Sequence, residues 1–114
     1  MVMNFDNIPL QHIPHFKGGE GEVLARIHTD EMGKIVHLTL PPGASIGLHT
    51  HDTSAEVVYF LSGHGIVLED DAPNGDPISV EAGMCTYCPK GHSHSLINNS
   101  DADLVVLGII PELG

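Results

Sequence analysis

The stretch that decides the reading runs from residue 43 to residue 63, GASIGLHTHDTSAEVVYFLSG. Residues 46–51 have strand character and end on His49 and His51. Two residues apart, these side chains share one face of a strand, with Cα atoms about 6.6 Å apart. Imidazole is long enough for both to approach one ion at about 2.0–2.2 Å. Residues 52–55 supply a turn. Glu56 then opens a second strand, 56–61, which sets its carboxylate beside the two imidazoles. Counting by twos from Glu56 brings Val58 and Phe60 to the same side.

A second informative stretch, GMCTYCPKGHSHSLIN, covers residues 83–98. His94 opens a strand over 94–97, behind the turn formed by Pro89, Lys90 and Gly91, and Leu96 shares its face. Three neutral imidazoles and one carboxylate suit a divalent first-row metal such as Mn, Fe, Co, Ni or Zn. Ca and Mg prefer mostly oxygen ligands. The first stretch resembles the first motif of the cupin superfamily: Gly, five residues, His-x-His, a short gap, Glu, six residues, Gly. Here Gly43, His49, His51, Glu56 and Gly63 fill it, with a four-residue gap. The second stretch resembles the partner motif through Gly83, Pro89, Gly91, His94 and Asn98. The resemblance implies an all-β, single-domain double-stranded β-helix, a jelly-roll barrel with a metal held inside by His49, His51, Glu56 and His94. The motif glycines fall where a sharp turn needs positive φ or a missing Cβ. Asn98 shares the parity of His94 and Leu96 but follows a strand end, which suits it to the turn rather than to the metal.

Working outward, short β-type runs alternate with turn signals over 23–28, 35–40, 46–51, 56–61, 65–68, 78–81, 85–88, 94–97 and 104–110. Thirteen Gly and eight Pro separate them, and no convincing helix or internal repeat interrupts the pattern. Many short strands at close spacing predict a sandwich or barrel. The first stretch, 1–21, lacks sustained periodicity and reads as an arm; the barrel domain is expected over 22–114. An open jelly roll exposes edge strands, and such an arm is suited to covering one on a neighbour. Since small proteins of the resembled kind are commonly homodimers, a homodimer is expected.

The 114 residues carry 15 acidic and 4 basic side chains, a formal −11. Lys17, Arg26, Lys34 and Lys90 form no cluster in sequence, so nucleic acid and anionic membrane are excluded as partners. The longest apolar run, 104–110, is too short for a membrane span. No signal peptide is recognisable at the start. Two cysteines are too few for a disulfide scaffold, and a reducing cytoplasm is the expected location.

Nine His set the candidates for chemistry. His92 shares parity with His94 and is carried as a possible pocket residue, with a place on the rim preferred. His37 lies on the face opposite Val36, Leu38 and Leu40, and parity leaves open whether that face lines the cavity. His12, His15, His28 and His64 are read as surface residues. Cys85 and Cys88, three apart on a strand, point to opposite faces and so do not share a metal. Tyr59 and Tyr87 are read as packing residues.

A metal(II) with three neutral His and one carboxylate keeps about one unit of positive charge. The expected partner is a small oxygen-donor molecule: a carboxylate, enediol, catechol-like compound or keto acid. Metal-dependent oxidation of the dioxygenase type is favoured. Isomerase or lyase chemistry, a non-catalytic metal or small-molecule binding module, and a purely structural metal are the alternatives, since fold alone does not rank them.

Overall fold

Alternating apolar and polar residues between Gly and Pro turns give ten antiparallel strands and three single 3-10 turns. The computed structural model describes every residue from Met1 to Gly114. The strands are β1 (Gln11–Pro14), β2 (Glu22–Asp30), β3 (Gly33–Leu40), β4 (Ser45–Thr50) and β5 (Glu56–Ser62). They continue as β6 (His64–Glu69), β7 (Ile78–Glu81), β8 (Cys85–Cys88), β9 (Ser93–Ile97) and β10 (Leu104–Pro111). No helix is long and apolar enough to cross a membrane.

Two sheets face each other, one ordered β1-β2-β3-β10-β5-β8 and the other β4-β9-β6-β7. This is the expected all-β double-stranded β-helix. The last strand in the chain, β10, lies in the middle of the wide sheet, paired to β3 on one side and β5 on the other. Period-two alternation turns every second residue inward. Val36, Leu38 and Leu40 of β3, Val58 and Phe60 of β5, and Val106 of β10 are all buried. They meet Ile46, Val67 and Leu96 from the narrow sheet in one core cluster.

Gly63 makes the tight passage from β5 to β6 at φ +92°, and a Cβ there would fall 2.4 Å from the Asp103 carbonyl oxygen. Asn98 is fully buried. Its Nδ2 donates to the carbonyls of Leu40 and Ala102, while its Oδ1 accepts from the Ser100 amide and hydroxyl. It therefore staples the 98–102 turn to the end of β3, as its place after the strand suggests.

The first stretch folds onto its own barrel. β1 adds an edge to the wide sheet by pairing with β2. Arg26 Nη1 donates to the Ile8 carbonyl at 2.5 Å, and Ser45 exchanges two bonds with Glu20. The arm backbone runs so close to β4 that a Cβ on Gly47 would fall 2.1 Å from the Lys17 carbonyl oxygen. The propensity signal for β1 is weak because Pro14 closes a four-residue strand; tertiary packing stabilises it.

Candidate metal centre

β4 and β9 pair with His49 directly opposite His94. A register shift between Ile46 and His49 puts an extra residue into β4. Such a bulge resets side-chain parity, which is why both Ile46 and His49 face the interior although three positions apart. His51 follows the end of β4 and is fixed from the second motif. Its amide donates to the His92 carbonyl, and its own carbonyl accepts the Gly91 amide at 2.7 Å. Gly91 has φ +86°, so the Pro89–Gly91 turn needs glycine there. Glu56 opens β5 opposite Cys88.

The four side chains converge. His94 Nε2 lies 2.9 Å from Glu56 Oε1, 3.0 Å from His51 Nε2 and 3.1 Å from His49 Nε2. His51 Nε2 lies 3.2 Å from Glu56 Oε1. All four donors fall within 4.8 Å of one another. Ligands about 2.1 Å from a shared ion in an octahedron are about 3.0 Å apart when adjacent and about 4.2 Å when opposite; a tetrahedron would need about 3.4 Å throughout. The observed spacings suit adjacent octahedral positions.

The tautomers fit a metal as well. The Gly47 carbonyl sits 2.8 Å from His49 Nδ1, so that nitrogen is the N–H donor and Nε2 keeps a bare lone pair directed at the other three side chains. His51 Nδ1 is held by the Ser54 hydroxyl at 2.9 Å. Burial lowers the pKa of His49, against a smaller raising effect of the Gly47 carbonyl, which favours the neutral ligand form. Burial alone would raise the Glu56 carboxyl. Hydrogen bonds to His51 and His94, with their charge, overcome this and bring it down to about 2, so the carboxylate is ionised at neutral pH. Gly108 on β10 leaves the space for that carboxylate: a Cβ there would lie 3.0 Å from Glu56 Oε2 and 2.7 Å from Val36 Cγ2.

The centre opens into a cavity of about 540 Å³ within the barrel. Val58, Phe60 and Leu96 line it. His37 and His92 do not. His37 lies on the outer face of the wide sheet, its ring 5.4 Å from that of Phe5 in the arm. His92 precedes β9, within the turn, so strand parity does not apply to it; its Nδ1 points outward to Asp70 Oδ1 at 3.0 Å. Cys85 is exposed and Cys88 buried, on opposite faces of β8. Tyr59 and Tyr87 are exposed on the outside of the wide sheet.

Ser54, Lys17 and Lys34 are among the cavity residues that escaped the sequence reading. Ser54 sits in the turn after His51, where nothing distinguishes it from an ordinary loop serine. Lys17 lies in the arm, outside any periodic pattern. Lys34 had a usable signal, because it shares the inward parity of Val36, Leu38 and Leu40 on β3.

Comparison with known proteins agrees with this architecture. An oxalate-binding protein of Thermotoga maritima is 33% identical over 96% of this chain and 93% of its own length. A crystal structure of a predicted oxalate decarboxylase from the same organism superposes with a TM-score of 0.90 at 30% identity, covering 99% of this chain and 100% of that one. An RmlC-like cupin from Shewanella frigidimarina shares the fold at a TM-score of 0.76 and 14% identity, over 98% of this chain and 89% of the other. The cupin-domain family model matches residues 36–110, which include all four converging side chains. With both motifs filled and the barrel built around them, the chain belongs to the cupin family.

Proposed function

We propose that this protein binds a divalent transition metal through His49, His51, Glu56 and His94 and, on that metal, a small carboxylate, with oxalate the leading candidate. One observation carries the reading: four donors spaced for a single ion stand together in a cavity of about 540 Å³ that Val58, Phe60 and Leu96 also line. The oxalate-binding relative, 33% identical over nearly the whole chain, supports the choice of ligand. When bound, the metal would act as a Lewis acid toward ligand oxygens. Glu56 contributes the single negative charge that offsets part of the ion's charge. The Gly47 carbonyl and the Ser54 hydroxyl orient His49 and His51. Val58, Phe60 and Leu96 limit water around the centre, which strengthens electrostatic attraction within it.

Oxidation by O₂ at the same centre is the second reading, and the apolar wall favours it because such a wall accepts a nonpolar gas beside the ligand. Elemental analysis of untagged protein, followed by calorimetric titration of metal-loaded and chelator-stripped protein with oxalate, tests the first reading. About one ion per chain and oxalate binding only to the loaded form are expected. Equal binding to both forms would overturn it. Oxygen consumption by the iron- or manganese-loaded protein with oxalate would favour the oxidative reading; its absence would leave binding alone.

A further inference from the structure

Four side chains carry a permanent positive charge: Lys17, Arg26, Lys34 and Lys90. Arg26 is engaged with the carbonyls of Ile8 and Phe5, and Lys90 Nζ donates to the Gly114 carbonyl at 3.2 Å. The remaining two, Lys17 and Lys34, are both solvent-exposed and both border the barrel cavity. Every ion pair in the molecule has histidine as its cationic partner, so neither lysine is paired although the chain has 15 acidic residues.

Their places are fixed by different elements. Lys17 Nζ lies 5.8 Å from the centroid of the Phe16 ring, which packs against the core. Lys34 pairs with Ile110, one inward step from the Val36–Gly108 pair. Gly108 in turn borders Glu56 Oε2. One inward step along a strand is about 6.7 Å, a distance the four-carbon stem of lysine spans. Asp30, Glu31, Asp52 and Glu112 also line this cavity. Without the lysines, an anion entering it would meet fixed charge of its own sign on the way to the centre.

We infer that Lys34, assisted by Lys17, binds the outward carboxylate oxygens of a small dicarboxylate whose other oxygens are held at the four-residue centre. The inference rests on the function proposed above and deepens it. It makes the cavity selective for dianions over monocarboxylates, because a monocarboxylate engaged at the centre has no second acid group to offer Lys34.

The test is calorimetric titration of metal-loaded protein with oxalate, malonate and acetate, using the natural chain, Lys34→Met, Lys17→Met and Lys34→Arg. Metal content and thermal melting are measured for each. Oxalate and malonate affinity should fall about tenfold in Lys34→Met and less in Lys17→Met, while acetate binding and metal content are unchanged. Lys34→Arg should restore most of the loss. Undiminished dicarboxylate affinity in both methionine variants would overturn the lysine assignment and leave the proposed function standing. Equal losses for acetate and oxalate would overturn the dianion selectivity. Failure of the metal-loaded natural chain to bind either dicarboxylate would overturn the proposed function, and the inference with it.

Discussion

Two groups of histidine and carboxylate occur in this barrel, and they differ in everything but composition. His49, His51, Glu56 and His94 face inward from β4, β5, β9 and the turn after β4, with four of their donor pairs at 2.9–3.2 Å and all donors within 4.8 Å. Asp70, Asp71 and His92 sit on the outside, where His92 Nδ1 lies 3.0 Å from one carboxylate and 3.9 Å from the other. In the inner group the donors of His49 and His51 are oriented from behind by Gly47 and Ser54; His51, Glu56 and His94 are buried and His49 half-buried. In the outer group Asp70 is occupied with loop structure, accepting from the Ser93 amide through its second oxygen. The difference teaches that residue type does not make a ligand set; orientation and desolvation do.

The contrast is broken most directly by removing one histidine from each group. His94→Ala should weaken metal affinity by more than about 100-fold, since even the loss of an outer partner of a ligand costs 10–100-fold. His92→Ala should retain metal within about twofold, as expected of an exposed ion pair. Competition against a chelator of known affinity measures both. A comparable loss in the two variants would dissolve the distinction.

A finer probe leaves all seven side chains in place. Gly108→Ala puts a Cβ 3.0 Å from Glu56 Oε2 and 2.7 Å from Val36 Cγ2, so the carboxylate must shift. Metal affinity should fall about tenfold while the outer group is untouched, with a stability loss of about 1–3 kcal/mol from overpacking. Chelator competition and denaturant unfolding read the two effects separately.

The smallest effect is that of pH on the metal-free protein. The pKa of His49 is lowered in the folded state, chiefly by burial. The unfolded chain therefore binds more protons as pH falls through its ordinary histidine range, and the stability present above that range is lost below it. The melting temperature of chelator-treated protein should decline between pH 7 and pH 5. His49→Gln should flatten that decline, whereas His92→Ala should not.

The inner group was legible in the sequence because its spacing is local: His49 and His51 lie two apart, Glu56 follows a turn, and His94 follows Pro89 and Gly91. Strand parity puts Val58, Phe60 and Leu96 on one side with Glu56 and His94, and all three line the cavity. The same parity misdirects at His92, because the rule holds only inside a strand and β9 begins at Ser93. The bulge in β4 was not legible; it lies where the arm backbone runs close against Gly47, a contact between distant parts of the chain. Nor was β1, whose short Pro-bounded strand forms only because β2 offers an edge. Lys34 carried a readable parity, yet it lies at the exposed start of β3, where parity alone does not mark a lysine as bordering the cavity.

The central place of β10 has a consequence for how the molecule assembles. β3 and β5 each need β10 as their shared neighbour, yet residues 104–111 follow every other strand. The wide sheet therefore stays divided, with two bare edges, until the end of the barrel sequence is available. Its contacts join distant stretches, a topology associated with slow folding. During that interval a chaperone or a stray β-strand would find its most receptive target in the gap between β3 and β5, and a chain cut short before residue 104 would carry that vulnerability permanently.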